Sequence, residues 1–285
     1  MTDEQEDYSS KFAQTRRGNI HYLEFQQEGA PTICILPGFT MPAQLYVSMG
    51  KSLHSYNFSV IIVDYWGRGE TMSPSDGNFA LSSQISLVST LLEHLQISKC
   101  HIIGISYGAA VASGLVSRSP DLVDKMAFIS PLHFTDDSPS PLQKFVLGTS
   151  YIGPMILNWA APSIIPDQIK AQFVHPEKHP EIVKEATRIC LEQFKKNKSH
   201  AYAISKSISQ FDNSDIEQVF AGLSTVNKKM LVFIGIDDRL INLTECKSWW
   251  TRWIQNAVIC DCDDLGHLMY LEKERMVTKR LAKFF

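Results

Sequence analysis

The chain has 285 residues, enough for one large α/β domain or for a core carrying an insertion. Its 44% apolar share, 20% charged share and formal charge of −3 are those of an ordinary globular protein and give no electrostatic case for nucleic acid. No run approaches the roughly 20 apolar residues that span a bilayer, the acidic start of residues 1–8 lacks the features of a secretory signal, and six scattered cysteines are too sparse for a disulfide framework. A cytoplasmic, reduced protein is expected.

In chain order, residues 11–15 and 20–25 read as two short strands around the Gly18 turn. Then come TICIL (32–36), SVIIV (59–63) and CHIIGI (100–105), largely apolar runs rich in β-branched residues, as expected of strands covered on both faces. Leu87, Leu91, Leu92 and Leu95 mark a helix over 81–95 between them. Such alternation predicts a doubly wound, mostly parallel sheet.

KMAFI (125–129), KMLVFI (229–234) and AVIC (257–260) are read as the later strands. Between residues 130 and 225 the strand rhythm stops. That stretch carries Pro-rich joints (Pro131, Pro139, Pro141, Pro154, Pro162, Pro166, Pro176, Pro180) and helix-like pieces, one over 180–194 and another starting at Ser214 with Glu217 in capping-box spacing. The expected organisation is a core of residues 1–130 and 226–285 with a helical cap over 131–225.

Gly104-Ile105-Ser106-Tyr107-Gly108 fits G-x-S-x-G directly after an apolar strand and before the small residues Ala109, Ala110 and Ala112. A serine hydroxyl is a weak nucleophile until it is presented on a sharp turn with a base in reach, and flanking glycines relieve crowding there. Ser106 is therefore the candidate nucleophile.

From these motifs the chain, over residues 11–285, resembles the α/β-hydrolase superfamily, in particular its capped members that cleave esters, amides and related bonds. The resemblance implies the order Ser, acid after a late strand, His near the end. Its G-x-x-D spacing after strand 229–234 selects Asp238, with Asp237 as fallback, and the Gly266-His267 loop supplies the base. The acid would hold the imidazole in one tautomer and stabilise its cation. The other histidines, including His21, His133 and His200, have no comparable setting. His175 and His179 have metal-ligand spacing, but Pro176 and Pro180 oppose a regular helix.

Acyl transfer needs preset backbone N–H donors facing the developing oxyanion. The resemblance assigns these to Tyr107 and to Phe39, in the loop after strand 32–36, with Pro37 standing where the family commonly has His. Asp64-Tyr65-Trp66-Gly67-Arg68-Gly69 resembles the family's Asp-x-x-Gly-x-Gly turn and is given a structural role. The apolar cap segment 145–159 suits an apolar acyl or aromatic substrate.

The expectation is a serine hydrolase cleaving carboxylic esters through an acyl-enzyme, with a small-molecule substrate and no metal or organic cofactor required. Alternatives are an aminopeptidase or thioesterase of the same fold, and a low-turnover ligand-binding member. Amine recognition would need cap carboxylates such as Glu177, Glu181, Glu185 or Glu192 to face the site. Epoxide hydrolases and dehalogenases of similar shape resemble the chain less, because they carry aspartate where Ser106 stands.

Overall fold

A computed structural model describes residues 8–132 and 140–285; the readings that fall on residues 1–7, on His133 and on Pro139 lie outside them. Eight strands form one sheet: β1 (Ser9–Thr15), β2 (Gly18–Phe25), β3 (Thr32–Leu36), β4 (Ser59–Val63), β5 (Cys100–Ile105), β6 (Val123–Ile129), β7 (Lys229–Gly235) and β8 (Ala257–Cys262), in the order β1-β2-β4-β3-β5-β6-β7-β8. The pairs β1–β2 and β2–β4 are antiparallel, and every later pair is parallel.

Successive side chains of a strand face opposite sides of a sheet. In β3, β4 and β5 this alternation sends Cys34, Leu36, Ile61, Val63 and Ile102 into one core and Ile33, Ile35, Val60, Ile62, Ile103 and Ile105 into the other. Both faces therefore need helices. Onto the first pack α2 (Leu81–His94), α3 (Tyr107–Arg118), α8 (Asn213–Ser224) and α9 (Leu243–Trp253), and onto the second α1 (Val47–Ser55) and α11 (Glu274–Phe284), which follows the short α10 (Met269–Glu272).

Between β6 and β7 lie α4 (Pro141–Gly148), α5 (Ile152–Ala171), α6 (Pro180–Lys196), α7 (His200–Ser209) and α8. Pro162 and Pro166, read from sequence as joints, lie inside α5. Each lacks the N–H that would reach back four residues to the Asn158 and Pro162 carbonyls, yet the helix continues through both.

The capping box expected at Ser214 is absent. Asp212, in an extended conformation, caps α8 by accepting from the Ser214 N–H at 2.8 Å. A true box occurs at α4 instead, where Ser140 and Gln143 exchange backbone and side-chain bonds, with Pro141 in the first turn. Within the stretch expected to form the cap, α8 packs against α3 of the sheet layer: Ile216, Phe220 and Leu223 enter the first core, and a Cβ on Gly114 of α3 would lie 3.1 Å from Val219. No helix of the described residues is long and apolar enough to cross a membrane.

The strand order places the site. From β3 the chain moves outward to β4 and then returns across β3 to β5, so the loops that leave the carboxyl ends of β3 and β5 diverge around one crevice. Open α/β sheets bind ligands at such a reversal.

Candidate active site

Ser106 leaves β5 at φ 52° and ψ −117°, a conformation that costs a non-glycine residue about 1–3 kcal/mol. Its surroundings hold it there: the Ser106 N–H donates to the Ile129 carbonyl at 3.0 Å, and its carbonyl accepts from Ala109 and Leu132. The turn is also crowded. A Cβ on Gly108 would run into the Leu36 carbonyl, so only glycine lets α3 begin this close to the end of β3.

Asp238 follows β7 and His267 follows β8, and both are buried. Asp238 Oδ2 accepts from His267 Nδ1 at 2.8 Å, and Oδ1 accepts from the Leu240 N–H at 2.8 Å. With Nδ1 carrying the proton, Nε2 is left as an acceptor. Asp237, the alternative one position earlier, is exposed. The loop bearing His267 is tied down by Glu272, whose Oε1 accepts from the Gly266 N–H at 3.1 Å and from the Val174 N–H at 3.3 Å. Burial raises the Glu272 carboxyl above its ordinary range, against the lowering effect of those two N–H groups.

Ser106 and His267 line one cavity of ≈ 290 Å³ together with Gly38, Phe39, Gln168 and Tyr270. Among the described residues no hydrogen bond of 3.5 Å or less joins Ser106 Oγ to the imidazole. Nucleophile and base often approach fully only with substrate bound. The structure thus brings Asp238 and His267 into contact and sets Ser106 in the same cavity.

The loop after β3 is held at several atoms. The Gly38 N–H donates to Tyr46 Oη at 3.0 Å, the Gly38 carbonyl accepts from the Met41 N–H at 3.3 Å, and the Phe39 carbonyl accepts from Arg68 Nε at 3.0 Å. Among the described residues no protein acceptor engages the Phe39 N–H, nor that of Tyr107 in the first turn of α3. The Phe39 and Tyr107 rings meet edge-on at 5.2 Å. Two backbone donors therefore stand free beside the crevice.

The Asp64 turn supports this loop. Asp64 accepts from the N–H groups of Ala43 and Glu70 and from His21 Nδ1. Burial lowers the His21 pKa, but the hydrogen bond and charge of Asp64 outweigh it, leaving the imidazole above its ordinary value. Gly67, at φ 71°, leaves no room for a side chain because Ala203 of α7 occupies that space.

Sequence reasoning gave Arg68 a structural place in the turn and His200 no part in the site, and it missed Gln193 and Asn197. Arg68 is 1% exposed and among the described residues has no carboxylate partner; besides Phe39 it donates to the Trp66 carbonyl and to Ser207 Oγ of α7. Burial pushes its guanidinium down to about 10, against raising contributions from Tyr107 and Tyr65. His200 donates from Nδ1 to the Gly67 carbonyl, and Asn197 Nδ2 donates to the Gly69 and Thr71 carbonyls. The available signal was in α6, where Gln193 follows Val183, Ala186 and Cys190 on the buried face, an amide at the helical spacing of a core stripe.

Beside the first cavity lies a second of ≈ 310 Å³ under α5, α6 and α7, walled by Leu157, Ala161, Ile165, Ile169, Phe194 and Ile204 among others. The two share Phe39, Thr40, Met41, Gln168 and Gln172, and among the described residues no Asp, Glu, Lys or Arg lines either. His175 bonds to Glu177 and Asp264 near the surface, and among the described residues no group of three His, Cys, Asp or Glu is arranged to hold a metal.

Comparison with known proteins agrees with this architecture. The uncharacterized hydrolase YugF of Bacillus subtilis (strain 168) is 20% identical over 280 residues, covering 93% of this chain and 94% of its own. Among solved structures, 2-hydroxy-6-oxo-6-phenylhexa-2,4-dienoate hydrolase from Rhodococcus sp. strain RHA1 superposes with a TM-score of 0.76 at 21% identity, over 97% of this chain and 99% of that one. The epoxide hydrolase CorEH gives 0.78 at 19% identity over 98% of each chain. A family model described as the alpha/beta hydrolase fold matches residues 31–274, and the chain belongs to that family.

Proposed function

We propose that this protein is a serine hydrolase that cleaves carboxylic esters of neutral, apolar acyl groups. The observation that carries the reading is the buried Asp238–His267 pair at 2.8 Å opening onto the cavity lined by Ser106. Ser106 Oγ attacks the ester carbonyl carbon as His267 Nε2 takes its proton. The tetrahedral oxygen gathers negative charge beside the Phe39 and Tyr107 N–H groups. The C–O bond then breaks, the alcohol leaves with the proton from His267, and water activated by the same imidazole releases the acid and restores Ser106.

Substrate class follows from the cavity walls. A buried charged substrate group needs a partner of opposite charge, and among the described residues neither cavity offers one. The aminopeptidase reading is weakened on the same ground, because Glu177, Glu181, Glu185 and Glu192 pair with basic side chains on the surface and line neither cavity. We read residues 131–225 as the cap, with α5 to α7 roofing the site and α8 docked on the core. A cytoplasmic location is favoured by six free cysteines.

The test is labelling with a fluorophosphonate together with a panel of p-nitrophenyl, thio and amide substrates. The expected result is one label, on Ser106, and ester turnover with a burst, both lost in Ser106→Ala. Faster turnover of thioesters moves the assignment to a thioesterase; equal rates for the wild type and Ser106→Ala favour a binding protein.

A further inference from the structure

The insertion reaches into the catalytic loop through one side chain. Gln193 is 5% exposed, and its amide is used at both ends: Nε2 donates to the Thr40 carbonyl at 2.9 Å and Oε1 accepts from the Gly69 N–H at 2.9 Å. The bonds span 153 and 124 residues of sequence. Around them, Cys190 Sγ lies 3.5 Å from Met41 Sδ, and Asn197 Nδ2 reaches the Gly69 carbonyl at 2.9 Å.

With Gln193 counted, three consecutive carbonyls of the loop are held. Gly38 is taken by the Met41 N–H, Phe39 by Arg68 and Thr40 by Gln193. Peptide groups are planar, so the Thr40 carbonyl held by Gln193 shares its plane with the Met41 N–H, which in turn holds the Gly38 carbonyl, whose own plane carries the Phe39 N–H. Stabilising an oxyanion depends on donors already aimed before charge develops. A donor free to rotate loses that advantage.

We propose that Gln193 of α6 is a positioning residue that, together with Arg68, aims the Phe39 N–H at the reacting carbonyl oxygen. The inference rests on the ester-hydrolase reading for its catalytic meaning. It gives the insertion a part in the chemistry beyond roofing the cavity: α6 must be docked for the oxyanion donor to be set. The buried amide is matched at both ends, as a polar group in a low-dielectric interior must be.

Gln193→Met keeps the length and removes both bonds. It should lower kcat on a short p-nitrophenyl ester by about 10- to 100-fold while KM stays within about threefold, because the donor acts on the transition state more than on bound ester. Gln193→Glu keeps an acceptor for Gly69 but sets a carboxylate against the Thr40 carbonyl, and should lose at least as much. Glu192→Gln, on the outer face of α6, should stay within about twofold of wild type. Should the Met variant melt below the assay temperature, Gln193→Asn, too short to span both groups, is read in the same way.

Hydrogen exchange over residues 37–46 supplies a readout independent of turnover and should be faster in the Gln193 variants at unchanged global stability. A kcat within twofold of wild type, a change confined to KM, or unchanged exchange in this loop overturns the proposal. A wild type that neither hydrolyses esters nor takes the fluorophosphonate overturns the ester reading instead, and the exchange measurement then decides the Gln193 clamp alone.

Discussion

Asp238 and His267 stand 29 positions apart in the chain and meet in the fold with Oδ2 2.8 Å from Nδ1, so that one carboxylate decides which ring nitrogen faces the cavity. Asp238→Asn retains the shape but offers an amide in place of a charge and admits the wrong tautomer. In the proposed reaction kcat should fall by about 10³- to 10⁴-fold. Asp237→Asn, altering an exposed neighbour, should leave kcat unchanged in the same ester assay.

The strained turn at Ser106 has a thermodynamic signature. Its φ of 52° is a conformation glycine enters freely and alanine does not. Ser106→Ala and Ser106→Gly should both be inactive, but the glycine variant should be the more stable by about 1 kcal/mol, the relief of strain exceeding the entropy that glycine adds to the unfolded chain. Denaturant titration of the two proteins measures the difference.

In the proposed reaction the second cavity would set an upper limit on the acyl group. Ala161 of α5 lies in its wall, and Ala161→Phe would fill much of the space. Esters of eight-carbon and longer acids should lose about tenfold or more in kcat/KM, while acetate and butyrate esters, housed in the cavity beside Ser106, stay within about threefold. Equal losses for short and long esters would place the acyl chain elsewhere.

Acid stability should depend on His200. Burial lowers its pKa, the bond to the Gly67 carbonyl raises it and the Arg68 charge lowers it, with a result of about 4 against an ordinary 6.5. Between those values the unfolded chain binds a proton that the native ring does not. Stability is therefore intact above pH 6.5 and falls as pH drops towards 4, by up to about 3 kcal/mol. In His200→Asn, whose amide can still donate to Gly67, this part of the acid limb should flatten in melts taken from pH 8 to pH 4, even if the variant is less stable throughout.

Much of the fold is local and was legible as such. Runs of four consecutive apolar residues, as in TICIL and SVIIV, have to be covered on both faces, and their alternation with helices points to a parallel sheet. The turn at Ser106 is also written locally, since a hydroxyl between two glycines at a strand end suits only a tight exit. The sequence by itself therefore determined the sheet, the position of the candidate nucleophile and, through family resemblance, the residues to be sought around it.

Tertiary structure decided which of two adjacent aspartates meets the imidazole, that α5 runs through Pro162 and Pro166, and that α8 packs on α3. It also decided that the loop after β3 is held by Arg68 from the Asp64 turn and by Gln193 from the insertion. For the polar contacts the cause is physical: a buried donor or acceptor takes whatever partner the packed chain brings within about 3 Å, and partners 29 to 153 residues away leave no periodicity or spacing in the sequence by which to find them.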